Sequence, residues 1–292
     1  MYYIDILVES LPQASLFAAM AVGLVIIFRT TGVMNFAQGY LGLLCGYIFY
    51  ELTITLPHLE FVFLGLLAIV VAAVLGYVIY QVFLARVSTS AGVFVPVVYT
   101  IALAWLIESA VGMKWQGNAY GLTSPVSRIG LQLGGGIVLS PLEIGITVVT
   151  AVFIGGLACF MRWTRVGTAM RAVSDNPTLA VTYGRNLGRI SGLAWAIGTV
   201  AAMLAGVTYG ITSTVDFSVI NLGFAAFPAM LIGGIDSISG VLIGSLFIAF
   251  AENYAGIKFG GQYSEPVAMG LALVVLLIRP QGLFGMRSLE RV

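Results

Sequence analysis

The chain has 292 residues, of which 60% are hydrophobic and only 9% charged, with a net charge of +1 and a mean hydropathy of +1.04. Soluble domains carry about 25% charged residues, and a soluble fold of this length has too little interior to hide so much apolar side chain. Lipid must cover the outside, which excludes a soluble enzyme or binding module. No polar linker divides 1–292, so a single bundle is expected.

In chain order, apolar segments fall at 11–28, 33–50, 61–84, 91–112, 141–161, 190–210, 219–235, 237–255 and 263–279. They predict an all-α polytopic membrane protein with about 8–10 transmembrane or re-entrant helices. The segment at 219–235 is short for a hydrocarbon core of ~30 Å and fits a re-entrant element as well as a crossing. The N-terminus opens with Asp5 and Glu9 instead of a basic stretch, so the first run is expected to remain as a span.

Arg29 to Gly39, RTTGVMNFAQG, joins the first two segments and carries Asn35 and Gln38 into the apolar zone. Unpaired amides in hydrocarbon cost several kcal/mol. These two side chains must therefore be bonded to neighbouring backbone or face a translocation route. Cys45 and Cys159 lie within apolar runs, so neither a disulfide nor a metal site is expected. His58, beside Pro57, reads as an interfacial loop residue, since metal sites need several converging ligands.

Glu108 is the acid deepest in an apolar segment. An intramembrane acid is a functional candidate, although Glu108 lies near the outer end of its span, where bonding to Lys114 is the alternative. Glu252 and Asn253 share that ambiguity. Residues 113–140 form a long outer loop, with a short hairpin expected around Val126–Leu133.

The connection at 162–189 carries most of the internal arginines. Ala169, Met170, Ala172 and Val173 can share one side of a short helix, with Arg165 and Arg171 toward solvent. Asp175 or Asn176 then caps a second helix, Pro177 takes its first position and Gly184 its left-handed end. This helix–turn–helix is either an interfacial linker held by its arginines or a docking element for a cytoplasmic partner. Leu231–Gly240 repeats the Gly-rich polar turn of the first hairpin, with Ser237 and Ser239 as caps, and hints at an internal repeat. The small-xxx-small pairs Gly42/Gly46, Gly206/Gly210 and Gly240/Gly244 mark close helix contacts.

Nine crossings starting outside place Arg29, Arg86, Arg162, Arg165, Arg171, Arg185, Arg189, Arg279, Arg287 and Arg291 on the inside. Only Lys114, Arg128 and Lys258 then fall outside, as the positive-inside rule requires. The N-terminus is expected outside and the C-terminus in the cytoplasm. Phosphate-loop, nucleophile-elbow and metal-cluster patterns do not occur, so neither an enzyme nor a cofactor is expected. A bundle without chemistry of its own is most simply a path for a solute.

Four blocks carry a family resemblance: Gly23–Phe28 with Val33–Gly39, Thr164–Gly184, Gly233–Gly240 and Arg279–Gly285. They resemble branched-chain amino acid ABC transporter permeases, of the LivH-like type, in the family's order along the chain. The resemblance implies an importer permease-type bundle in a bacterial inner membrane, with no nucleic-acid partner. It also implies two cytoplasmic ABC ATPases, a second, usually homologous permease subunit, and an extracytoplasmic substrate-binding protein. The ATPase-docking loop of such permeases corresponds to 164–184, so Arg171, Asp175, Asn176, Pro177, Ala180 and Gly184 are the positions expected in or around that contact. Asn35, Gln38 and Glu108 are candidates for the pathway, with Gln38 standing where the family usually has histidine. Branched-chain or related small amino acids, urea or short amides are the cargo classes implied. An ion-coupled amino acid carrier working without an ATPase is the alternative.

Overall fold

The computed structural model describes residues 2–86, 94–134, 137–279 and 282–284. Helix α1 (Tyr2–Glu9) precedes α2 (Leu11–Thr31), which ends on Gly32 in the left-handed conformation (φ +70°). Next come α3 (Gln38–Thr55), α4 (Phe61–Ile79) with a π turn at Tyr80–Leu84, and α5 (Phe94–Trp115). Strands β1 (Leu131–Gly134) and β2 (Ile137–Leu139) lead to α6 (Pro141–Trp163), which starts in a capping box: the Glu143 amide donates to Ser140 Oγ and the Ser140 amide to Glu143 Oε2. The short helices α7 (Arg165–Asp175) and α8 (Pro177–Thr182) follow. The rest is α9 (Leu187–Thr212), α10 (Val219–Gly233), α11 (Ile238–Phe259), a 3₁₀ turn at Gly261–Tyr263 and α12 (Ser264–Ile278).

Each of the nine apolar segments contains a helix among its described residues. Among the described residues, seven helices are long and apolar enough to cross a membrane: α2, α4 with its π turn, α5, α6, α9, α11, and α12 with its 3₁₀ turn. The expected short segment is α10, of 15 residues with Pro228 inside it. Residues 91–93 of the fourth segment, and Pro280, Gln281, Gly285, Arg287 and Arg291, lie outside the described residues.

Helices α2 and α9 form the centre, with 78% and 83% of the residues in their most apolar windows buried. The corresponding share is 28% for α4, α5 and α6 and 11% for α12, whose apolar sides face outward. The central pair runs antiparallel, with Gly23 opposite Ala201 and Ile27 opposite Gly198. Around it, α9 packs against α3 and α4 as α2 packs against α10 and α11, and α5 lies on α3 as α12 lies on α10. The sets α2–α5 and α9–α12 therefore form an inverted repeat of the kind used by many transporters.

The expected repeat is real but its second member is misplaced. Residues 231–240 make a tight turn between α10 and α11, two helices that lie along one another. The partner of the irregular stretch 32–37 is 213–218, which precedes α10. Asn35-Phe36-Ala37 and Asp216-Phe217-Ser218 occupy matching positions, and each acid or amide accepts from the backbone N–H two residues later (Ala37 to Asn35 Oδ1, 3.1 Å; Ser218 to Asp216 Oδ1, 2.7 Å).

The hairpin also departs from expectation. Its strands are Leu131–Gly134 and Ile137–Leu139, paired antiparallel, instead of lying around Val126–Leu133. Apolar residues flank the Gly134–Gly136 run on both sides in the sequence. All three small-residue pairs sit at helix contacts. The closest is at Gly240, where a Cβ would run into the Gly233 carbonyl, and a Cβ on Gly206 would likewise run into the Gly42 carbonyl.

Candidate functional site

Two places gather the predicted residues: the junction where α3 and α10 begin, and the arginine-rich end of the bundle.

The junction lies at mid-height. Gln38, the first residue of α3, donates from Nε2 to the carbonyl of Gly198, halfway along α9 (3.0 Å), and stands against Gly23, halfway along α2. Helix α10 starts beside it: Gly39 and Gly223 touch backbone to backbone, because any side chain at either position would meet the other helix's main chain. Two helix N-termini thus meet inside the bundle and run away toward opposite ends. The irregular backbone leading to each is held by protein, as membrane depth demands. Thr100 of α5 accepts from Phe36 N–H at 3.3 Å, and its hydroxyl has the carbonyls of Val97 (2.8 Å) and Met34 (3.3 Å) as acceptors. Val215 exchanges backbone hydrogen bonds with Tyr120 (2.8 and 3.1 Å), and Tyr209 Oη is 3.0 Å from Ser218 Oγ.

Asn35 and Gln38 are both completely buried. Asn35 Nδ2 donates to Gln38 Oε1 at 3.0 Å, so the pair closes the gap between turn and helix. Of the two expected outcomes the structure takes the first, amides bonded to their surroundings. Glu108 differs. It is half-exposed on α5, near enough to the Tyr40 hydroxyl for the two groups to interact electrostatically. Lys114 does not pair with it: six positions on a helix place two side chains far apart around the axis. Lys114 instead meets Glu51 of α3 at 3.5 Å, and the same carboxylate accepts from Trp115 Nε1 at 2.8 Å. Tyr40, Phe36, Phe224 and Phe227 line a shallow groove beside the junction, with Phe36 and Phe227 stacked at 5.0 Å between ring centroids. This aromatic face was missed in the sequence. The shared Asn/Asp-Phe-small triplet was the signal that could have found it.

At the other place, α7 and α8 form the anticipated helix–turn–helix. Asn176, not Asp175, is the cap of α8, accepting from Leu179 N–H at 3.0 Å, and Pro177 follows at the first position. Gly184 has φ +76°. Ala169, Met170 and Val173 are buried, whereas Ala172 is exposed, contrary to expectation: the buried side of α7 is narrower than the apolar pattern suggests. Arg171 is half-buried and bends back toward the carbonyl of Arg162 (3.4 Å) instead of standing free in solvent like Arg165. Asp175 and Asn176 are exposed, and Ala180 is buried. Leu179, Val181 and Tyr183 are exposed by 55%, 51% and 84%, an apolar surface outside the bundle that the sequence reading overlooked. Helix α7 packs on both α2 and α9, and α8 on α9.

His58 is exposed in the turn after α3; Cys45 is buried and Cys159 faces outward. Glu252 accepts from Gln13 Nε2 at 2.6 Å and Asn253 donates to Ser10 Oγ at 3.0 Å, so both tie α11 to the start of the chain.

Residues 6–279 match the family model described as the branched-chain amino acid transport system permease component. The chain is 31% identical to the high-affinity branched-chain amino acid transport system permease protein BraD of Pseudomonas aeruginosa, over 100% of this chain and 98% of the relative. It is 26% identical to the corresponding LivH protein of Escherichia coli K12, with the same coverage. A probable LivH permease of Methanocaldococcus jannaschii is 26% identical over 98% of this chain and 95% of the relative. No solved structure matches.

Proposed function

The chain belongs to the branched-chain amino acid transport system permease family, and from that premise we propose that it is the membrane-spanning subunit of an ATP-driven importer for branched-chain or related small amino acids. The observation that carries the ATP-driven part is the α7–α8 hairpin. A capped pair of short helices stands outside the bundle with Leu179, Val181 and Tyr183 presented to water, as suits a surface normally covered by a partner. In this reading the arginine-rich end is cytoplasmic, the N-terminus lies outside, and residues 162–189 receive an ABC ATPase. Arg171 and Ala180 brace the hairpin from within, Asp175 and Asn176 lie at its rim, and Pro177 and Gly184 fix the two ends of α8.

The route from docking to transport follows the packing. A displacement of α7 passes to α2 and α9, on which it rests. These two helices hold the junction of α3 and α10 through the Gln38–Gly198 bond and the Gly23 contact. Rocking them opens or closes the aromatic groove, a rigid-body conversion of a cytoplasmic push into alternating access. A second permease subunit completes the pathway opposite Tyr40 and Phe224, and an extracytoplasmic binding protein delivers the cargo. Glu108 supplies a counter-charge for the substrate ammonium and the phenylalanines accommodate an aliphatic side chain. Asn35 and Gln38 shape the pathway from behind without touching cargo.

The test is Leu179→Asp, with the protein purified from its own membrane in mild detergent. The variant is expected to insert and fold normally while losing the co-purifying ATPase and uphill uptake together. A wild-type chain that elutes alone and concentrates amino acid in proteoliposomes under an ion gradient would refute the proposal in favour of a self-sufficient carrier.

A further inference from the structure

Helices α6 and α11 both pack on α2, without packing closely on each other among the described residues. Around α2 the neighbours run α6, α9, α3, α10, α11, so the gap between α11 and α6 opens on the side of α2 away from α3. It is an apolar cleft floored by Ala14 and Ala18 of α2 and walled by Ala151 and Ile154 of α6 and Leu242 and Leu246 of α11. At the arginine-rich end the same cleft, still bounded by Ala151, Ile154 and Leu242, widens into a cavity of about 880 Å³. The chemistry changes there. Arg29, Arg162 and Arg171 line the cavity against one acid, Asp236, and the hydroxyls of Ser237 and Ser239 border it at the start of α11. None of the three arginines forms an ion pair with a described residue, and Arg29 Nε is buried without a hydrogen-bond partner.

We propose that this cleft holds an anionic phospholipid, one acyl chain lying between α6 and α11 and the phosphate resting among Arg29, Arg162 and Arg171. A narrow apolar channel continuous with a roomy cationic chamber at one end has the division of a phospholipid: tail along the helices, charged head at the membrane surface. Basic pockets between transmembrane helices on the cytoplasmic side favour anionic headgroups, and the guanidinium fork matches phosphate oxygens. Three arginines beside the one carboxylate of Asp236 leave the chamber with a surplus of positive charge for an anion to offset. A second permease is not the natural occupant, because the junction of α3 and α10 lies on the opposite side of α2. The lipid wedges the end of α2 against α6 and α7 and thereby stiffens the seat of the hairpin. The site depends on the family's membrane location but not on ATPase docking, so failure of one does not imply failure of the other.

The test uses purified, delipidated full chain titrated separately with dioleoyl phosphatidylglycerol, dioleoyl phosphatidylcholine and inorganic phosphate. Bound lipid is counted by native mass spectrometry and the melting temperature is followed in parallel. Phosphatidylglycerol is expected to bind and raise the melting temperature, with phosphatidylcholine and phosphate ineffective. The double substitution Arg29→Gln, Arg162→Gln should weaken phosphatidylglycerol by about twenty-five-fold, at roughly fivefold per arginine. Ala151→Phe leaves every charge in place and blocks the cleft, and should abolish lipid retention even if the arginine variant folds poorly. Equal binding of both lipids, or unchanged binding in the two variants, would overturn the proposal. So would a full response to phosphate alone, which assigns the chamber to a free anion, or a cross-link from position 151 to a second subunit, which assigns the cleft to protein.

Discussion

Replacing Gln38 by alanine separates a scaffold residue from a cargo contact. The side chain accepts from Asn35 Nδ2 and donates to the Gly198 carbonyl, both at 3.0 Å, with no part of it exposed. Alanine removes both bonds and leaves the buried Asn35 amide short of an acceptor. The Gly198 carbonyl retains its place in the helix, so its loss is small. Cross-helix hydrogen bonds within membranes average about 0.6 kcal/mol and reach ~1.7. A buried polar group left unpaired costs about 1–3 kcal/mol, giving a total of roughly 2–5 kcal/mol. At roughly 2–4 °C per kcal/mol for a domain of comparable size, the melting temperature should fall by on the order of 10 °C. The assay is thermal unfolding in detergent alongside uptake in proteoliposomes. Gln38→His keeps a donor and an acceptor and should recover most of the loss in both. Unchanged thermal stability together with abolished uptake in Gln38→Ala would refute the reasoning, because it would make Gln38 a residue that cargo touches.

Two further substitutions probe the packing and the hairpin. Gly206→Leu drives a side chain into the Gly42 backbone, where no rotamer relieves the clash. Overpacking costs about 1–3 kcal/mol even where side chains can yield, so folded protein in size-exclusion chromatography should fall sharply, while Gly156→Leu, whose Cβ meets open space, should stay within about 0.5 kcal/mol of wild type. Gly184→Val forces a branched residue to φ +76°, a strain of about 1–2 kcal/mol at the end of α8; bundle stability should hold while uptake and ATPase retention drop, and Gly184→Asn, which tolerates this conformation, should restore both.

Where the sequence reading succeeded and failed follows from what hydropathy measures. It registers burial in lipid or protein, and so marked all nine helical segments. It has no view of backbone conformation, which is why the second segment began at 33: Val33, Met34, Phe36 and Ala37 are apolar, yet the helix starts only at Gln38. Local chemistry was legible where one residue decides the outcome, as with Pro177 and Gly184, while the choice between Asp175 and Asn176 needed the chain's path. Glu108 was legible as an exception in an apolar run, but its neighbour Tyr40 comes from another helix and leaves no trace in spacing. The repeat was sensed through glycine-rich turns and assigned to the wrong stretch, because glycine marks close approach as readily as symmetry. The homologous turn at Asp216 has no glycine and matches Asn35 in a short Asn/Asp-Phe-small triplet and in its side-chain hydrogen bond.

That matching turn bears on how the bundle moves. A continuous membrane helix resists bending, since every backbone group along it is paired within the helix. Helices α3 and α10 begin instead at mid-height on stretches whose hydrogen bonds reach other elements: Thr100 and Gly198 for one, Tyr120 and Tyr209 for the other. Their backbones meet glycine against glycine at Gly39 and Gly223, with Phe36 stacked on Phe227 beside that contact. The antiparallel pair α2 and α9 is long, buried and rigid by comparison, and it is this pair that α7 touches. Stiff levers joined to two broken helices by a few directional bonds concentrate motion at the junction. Because the repeat is inverted, one tilt of the levers carries α3 and α10 in opposed senses relative to the two membrane faces. Under the proposed function, opening toward one face and closing toward the other would then be a single movement.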